Sequence, residues 1–186
     1  YGYSSPGYVL LAWIVEQAGD QPYASFLADR IFTPLGMRTA AAGERPGDAG
    51  IARGYYGRQP LPSYELATVH VGAGDICCTG ADLLRWDEAF ARDELLPASA
   101  REAMLASCVI PGVRSERQDW AFTGCGYGWM TGVIAGRRAF FHTGDNPGYL
   151  AVNAWFPDEQ LTLAVLANDE AADVAQAVAD LLELAR

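Results

Sequence analysis

The chain has 186 residues, 51% of them hydrophobic, and a formal net charge of −10. That is apolar enough for a packed core and unlike the polar, highly charged composition of a disordered chain. The acidic balance argues against nonspecific nucleic-acid binding, which needs Lys and Arg to neutralise phosphates, and against attraction to anionic membrane surfaces.

All 13 basic residues are arginines, so a reaction that needs a lysine base must take it from outside this chain. The longest apolar run, Tyr8 to Val15, is too short to span a bilayer, so the chain reads as soluble. It starts at Tyr1 without an initiator Met or a signal pattern, which reads as a fragment or processed product. Cys77 and Cys78 are adjacent, Cys108 and Cys125 are isolated, and His70 and His142 lie at no zinc-ligand spacing. No metal site and no cofactor are therefore expected. Buried free thiols are the simplest reading, with a Cys108–Cys125 disulfide left open.

Ser5-Pro6 reads as a helix start, with Ser5 as N-cap and Pro6 at the first helical position. Tyr8, Leu11, Ala12 and Val15 follow at helical spacing, and Gly19 closes the helix. A second helix is expected over Tyr23 to Ile31, broken by Pro34-Leu35-Gly36. Thr39 to Tyr64 is rich in Gly, Pro and Arg and reads as loop with one short hairpin. Its pair Tyr55-Tyr56 either lines a pocket or covers a core edge. Thr79 opens a third helix, where Thr79 and Asp82 have capping-box spacing and Leu83, Trp86 and Phe90 form an apolar stripe. A fourth helix is expected over residues 98–106.

The pattern changes near Phe122. Tyr127 to Ile134, Arg138 to His142, Tyr149 to Phe156 and Leu161 to Ala167 read as strands separated by turns. The last is apolar on both faces, as in a covered central strand. A final helix follows, capped by Asn168 or Asp169, with a stripe of Val174, Ala175, Val178, Leu181, Leu182 and Ala185. Helices and loops, then an antiparallel meander, then a helix laid on it make an α+β pattern. The division expected is a partial helical subdomain over 1–120 and the strands with their packing helix over 121–186.

Tyr3-Ser4-Ser5-Pro6-Gly7-Tyr8, followed by an apolar helix, resembles a helix-opening motif of the serine β-lactamase-related, penicillin-binding-protein-like hydrolases. That family spans class C β-lactamases, D-Ala-D-Ala carboxypeptidases, D-aminopeptidases and esterases. Further segments are similar to the family's in order and spacing. They are Pro34-Leu35-Gly36-Met37, then Gly72-Ala73-Gly74-Asp75 with Thr79 and Asp82-Leu83-Leu84-Arg85-Trp86. Tyr127-Gly128-Trp129, His142-Thr143-Gly144 and Leu166-Ala167-Asn168 follow. The resemblance covers nearly the whole chain and implies a β-lactamase/transpeptidase-like fold, present in part.

In such hydrolases a serine attacks a carbonyl, an acyl-enzyme forms, and water or another acceptor releases it. The family's Ser-x-x-Lys lies upstream of the Tyr motif and has no counterpart here. The resemblance therefore implies a C-terminal fragment of a serine hydrolase, inactive alone, that acts on an ester, a D-amino-acid amide or a β-lactam. By the same resemblance Tyr3 is the base or proton relay, and Ser5 stands where the family has an amide-binding Asn. A hydroxyl cannot offer the carboxamide's acceptor and two donors. His142 stands at the cleft edge facing Tyr3, where an imidazole can hold either charge state near neutrality. Thr143, Gly144 and Asp145 continue that edge, with the Asp145 N–H in the oxyanion hole.

His142 in place of Lys and Ser5 in place of Asn point to an esterase or peptidase rather than a β-lactamase. The partner implied is a small-molecule or peptide substrate. Strands missing from the sheet would leave an exposed edge open to self-association. The alternative from another class is a non-catalytic binding or regulatory module on the same fold. His70 matches no motif and reads as structural, and Asp145-Asn146-Pro147-Gly148 reads equally well as a tight turn.

Overall fold

Residues 2–43, 50–61, 71–106, 108–109 and 120–185 are described in the computed structural model of the chain. His70, the 62–64 end of the expected loop and the Cys108 side chain lie outside them. The described chain divides into two compact units. The first comprises residues 1–86, 146–149 and 168–171, and the second comprises 87–145, 150–167 and 172–186.

The first unit opens with helix α1, Ser5–Gly19. Its cap is Ser4, not Ser5: the Ser4 backbone is extended at φ −145°, and its Oγ accepts the Gly7 N–H at 3.1 Å. Ser5 already has helical geometry and cannot turn its hydroxyl onto that donor. Asp20, at φ 50°, takes the left-handed closing position rather than a glycine. Helix α2, Tyr23–Leu27, runs into a single wide turn, Ala28–Phe32, in which the Thr33 N–H bonds the Ala28 carbonyl. Leu27, Phe32, Met37 and Ala42 form this unit's buried core, with Tyr23, Phe26, Ile31, Leu35 and Trp86 against it.

The apolar stripe expected on α1 is only partly buried. Ala12 is enclosed, whereas Tyr8 and Leu11 are exposed together with Leu10, Trp13 and Ile14. Gly72 explains the burial at Ala12. It has φ +78°, and a Cβ there would lie 2.4 Å from the Ala12 Cβ, so any side chain would be both strained and in collision.

Short strands β1, Ala41–Ala42, and β4, Ile76–Cys77, pair antiparallel. β2, Tyr55–Tyr56, and β3, Gln59–Pro60, form the expected hairpin. Two buried carboxylates tie these segments together. Asp75 accepts the Gly72 N–H at 2.9 Å and the Gly43 N–H at 3.0 Å. Asp82, in helix α3 (Gly80–Ala91), accepts the Thr39 N–H and Oγ1–H, both at 2.6 Å, and Arg85 Nη1 at 2.6 Å. The Asp82 N–H reaches Thr79 Oγ1 at 3.4 Å, which is half of the expected capping box. The reciprocal bond is replaced, because the Thr79 N–H donates to Thr39 Oγ1 and not to Asp82. The Thr39 hydroxyl and N–H hold the Asp82 carboxyl below the usual carboxylate range against the cost of its burial, with Arg85 adding to them.

The second unit contains helix α4, Ala98–Leu105, and a six-stranded antiparallel sheet. The strands are β5 (Cys108–Val109), β6 (Trp120–Cys125), β7 (Met130–Ile134), β8 (Arg137–Asn146), β9 (Tyr149–Phe156) and β10 (Leu161–Ala167), side by side in chain order. Helix α5, Val174–Leu184, lies on one face, where Val178 and Leu182 meet Ile134, Phe141, Val152, Ala154, Phe156 and Leu163. On the other face Phe90 packs on Trp129 and Trp155, Phe140 stacks on Trp155 at 5.7 Å, and Arg101 lies over the Trp155 ring. A sheet covered on both faces explains why its strands carry apolar residues at odd and even positions alike.

Four expectations change here. β6 had no sequence signal, because a bulge between Phe122 and Gly124 breaks its alternation; Tyr127 lies in the turn that follows it. β8 runs through His142 to Asn146, so His142 is within a strand and the turn is Pro147-Gly148. β10 is an outer strand, not a central one, since apolar residues on both faces report what covers a strand, not what flanks it. Asp173 caps α5, accepting the Gln176 N–H at 3.1 Å, instead of Asn168 or Asp169. The β5–β6 register sets Cys108 opposite Cys125, and Cys125 is a free thiol donating to the Gly126 carbonyl at 3.3 Å. Among the described residues no helix is long and apolar enough to cross a membrane.

Candidate functional site

Tyr3 and Ser5 belong to the first unit. Tyr3 sits in the extended segment just before α1 and is 61% exposed. Ser5 is the half-buried first residue of the helix. Tyr3 precedes a helix whose N-terminus is fixed by the Ser4 cap and by Pro6, so the position of its backbone is set by local sequence.

His142, Thr143, Gly144 and Asp145 belong to the second unit and follow one another on β8. A strand turns successive side chains to opposite faces. The parity set by buried Phe141 sends Thr143 and Asp145 to the α5 face, and His142 to the face of Phe140. Thr143 and Asp145 therefore share a strand edge with His142 but not a side-chain environment. With Gly144, Trp120, Phe122, Met130 and Val174 they line a largely apolar hollow of about 360 Å³. His142 has no part in that hollow.

The β7–β8 register begins at Met130–Phe141 and ends at Ile134–Arg137, so β8 runs on beyond the end of its pairing with β7 among the described residues. On its other side the two-residue turn Pro147-Gly148 joins β8 to β9. Residues flanking such a turn exchange both backbone bonds, which directs Asn146, Gly144 and His142 towards β9. Thr143 and Asp145 then turn their N–H and C=O groups away from β9. The same register sets Gly144 against Ala151, where a Cβ would meet the Ala151 Cβ at 3.2 Å. It also sets His142 opposite Asn153.

His142 Nδ1 lies 2.6 Å from the Thr143 carbonyl oxygen. A carbonyl can only accept, so Nδ1 carries the hydrogen, and in the neutral ring Nε2 is left as the acceptor. The turn beyond the strand is held within the first unit. Asn146 Nδ2 donates to the Gly74 carbonyl at 3.0 Å, and the Gly148 N–H donates to Glu170 Oε1 at 2.5 Å. Gly148 has φ +86°, and a Cβ there would lie 2.8 Å from the Gly54 Cα, so the turn admits no larger residue.

Sequence reasoning missed a buried polar pair behind this strand. Asn153 Nδ2 donates to Asp87 Oδ1 at 2.7 Å, and Asp87 is 2% exposed. Burial pushes the Asp87 carboxyl up to about 7, partly opposed by the Asn153 bond. The signal was present: Leu83, Asp87 and Phe90 recur at helical spacing, which puts Asp87 on the apolar stripe. Among the described residues no group of three or more His, Cys, Asp or Glu is placed to hold a metal ion.

The whole chain, residues 1–186, matches the family model described as Beta-lactamase. The chain belongs to the β-lactamase family of serine β-lactamase and penicillin-binding-protein-like hydrolases. It is 29% identical over 185 residues to a penicillin-binding protein of Bacillus subtilis, a match spanning 90% of this chain and 40% of that protein. It is 28% identical over 179 residues to penicillin-binding protein 4 of Amycolatopsis lactamdurans, across 89% of this chain and 46% of that one. It thus spans less than half the length of these curated relatives. Among solved structures, the D-amino acid amidase of Ochrobactrum anthropi SV3, in complex with D-phenylalanine, superposes with a TM-score of 0.83 at 25% identity. That match covers 98% of this chain and 61% of the amidase. An octameric penicillin-binding protein homologue from Pyrococcus abyssi shares the fold at a TM-score of 0.78 and 22% identity, over 98% of this chain and 43% of that one.

Proposed function

We propose that the chain supplies the tyrosine and the β8 edge of a serine acyl-transfer site, with the nucleophilic serine and its lysine supplied by sequence outside these 186 residues. The single observation that carries this reading is the run of β8 beyond Phe141, past the end of its register with β7 among the described residues. Such an edge offers an acyl group the donors and acceptors of a neighbouring strand, and the Asp145 N–H one arm of an oxyanion hole. The serine oxygen attacks the carbonyl while its proton passes through Tyr3, as base or as relay to the lysine outside the chain, and returns by the same route to the leaving amine or alcohol. Water then releases the acyl group. His142, through Nε2, contacts the substrate or the leaving group. Ser5 and Thr143 bind substrate polar groups, and Gly144 admits its backbone.

An amide or ester of a D-amino acid is the favoured substrate over a β-lactam. Likeness to the D-amino acid amidase supports it, as does the absence of a lysine at position 142 to pair a β-lactam carboxylate. The exposed Leu10, Leu11, Trp13 and Ile14 of α1 support a chain that works as part of a larger protein, because a helix apolar all round is normally buried. The chain alone is expected to turn over neither nitrocefin nor p-nitrophenyl acetate above a buffer control, and to take no label from a fluorescent penicillin. Stoichiometric acylation of a serine within these residues would overturn the proposal.

Self-association through β10 fits its outer position among the described strands and the exposed Leu166. Sedimentation velocity is expected to show concentration-dependent association that Leu166→Lys weakens. A wild-type chain that stays monomeric at every concentration would contradict this.

A further inference from the structure

Asp87 and Asn153 leave two oxygens without partners. Asp87 Oδ1 accepts from Asn153 Nδ2 at 2.7 Å, but Asp87 Oδ2 and Asn153 Oδ1 are both fully buried and unbonded. A buried carboxylate oxygen and a buried amide oxygen left bare each cost free energy, since neither can donate to the other. One proton resolves both. A carboxylic acid at Asp87 donates from Oδ2 to Asn153 Oδ1 while Oδ1 still accepts from Nδ2, closing a reciprocal acid–amide pair.

The pair belongs to the same unit as His142. The β8–β9 register that sets Gly144 against Ala151 and Phe140 against Trp155 sets His142 opposite Asn153, on one face of the sheet. Side chains at such positions have Cβ atoms about 4.5–5.5 Å apart. We infer that Asp87 is a protonated carboxylic acid whose reciprocal pair with Asn153 fixes that carboxamide beside His142, making Asp87 and Asn153 positioning residues for the His142 ring. The inference rests on the proposed role of His142 only for its effect on activity.

The charged groups on the surrounding elements have partners of their own. Arg101 of α4 is bound to the Ala91 carbonyl and Asp93 and lies over Trp155. On α3, Glu88 pairs with Arg92, and Asp82 is held by Thr39 and Arg85. His142 on β8 donates to the Thr143 carbonyl. Among the described residues none of these groups is bonded to Asp87, so burial governs its proton, partly opposed by the Asn153 bond, and its carboxyl is raised to about 7.

A raised carboxyl makes stability fall as pH rises. The contribution is full below the unfolded-state value near 4 and is lost as pH climbs through the folded value near 7. Over that window the group shifts the folding equilibrium by roughly a thousandfold, one decade per pH unit.

The test follows the Asp87 carboxyl by 13C NMR in aspartate-labelled protein, together with the His142 ring resonances, from pH 4 to 9. Asp87 is expected to titrate near 7, and His142 to show an inflection at the same pH. Asp87→Asn, which mimics the neutral acid, is expected to keep the fold, remove that inflection and flatten the roughly thousandfold pH dependence of unfolding. In the longer hydrolase it is expected to preserve kcat/KM below pH 7 and remove the corresponding limb of its pH profile. An Asp87 midpoint near 4, or His142 ring resonances that follow pH identically in wild type and Asp87→Asn, would overturn the inference while leaving the hydrolase reading standing. Absent acyl transfer with Asp87 titrating near 7 would sink only the hydrolase reading.

Discussion

Tyr3→Phe is expected to lower the acylation rate of the longer hydrolase by roughly two to four orders of magnitude, the range for losing a general base. The change removes one oxygen and keeps the ring, so packing beside α1 is retained. The Ser4 cap and Pro6 fix the helix entrance. A fall in kcat and kcat/KM together would mean that the hydroxyl acts in the transition state, whereas a change in KM alone would mean that it only holds substrate. His142→Ala is expected to cost less and to act mainly on KM, because the backbone edge of β8 remains. Stopped-flow acylation with a chromogenic ester separates these cases. A Tyr3→Phe protein that acylates at the wild-type rate would return the Tyr-Ser-Ser segment to a capped helix entrance with an aromatic beside it.

Asp82→Ala is expected to destabilise the protein by about 1–3 kcal/mol, the usual cost of taking the acceptor from buried hydrogen-bond donors. Asp82 is 2% exposed and holds the Thr39 N–H, the Thr39 hydroxyl and Arg85 at once. Removing it takes this shared acceptor from Thr39 and unties the segment before β1 from α3. The pH sign is opposite to that of Asp87. A carboxyl held below its ordinary range stabilises above that range, and its contribution is lost as pH falls through the folded value. Asp82→Asn is expected to lose this acid limb while keeping part of the bonding to Thr39. Urea unfolding of the three proteins at several pH values measures both effects, and an Asp82→Ala midpoint unchanged from wild type would contradict the account.

Much of this fold was legible because its signals are local. Pro6, the stripe of α3 and the run of β9 each follow from spacing within one element. The cap at Ser4 was misplaced by one residue, since Ser4 and Ser5 are chemically equal and only backbone geometry separates them. β6 was missed because its bulge erases the alternation that marks a strand. The outer position of β10 depends on which strands flank it, which no run of residues encodes. Motif order led to Tyr3 and His142, yet it did not separate the two faces of β8 that divide His142 from Thr143 and Asp145. Asp87 escaped because an acid on an apolar stripe reads as an interruption until Asn153, 66 residues later, is found beside it.

The most direct test of the central claim is to quench a longer hydrolase containing this chain during turnover of a D-amino-acid ester, and to map the acylated peptide by mass spectrometry. The account predicts one acyl group on the serine of a Ser-x-x-Lys segment outside these 186 residues, with accumulation that slows when Tyr3 becomes Phe. An acyl group on a serine within the chain, or turnover with no covalent intermediate, would contradict it.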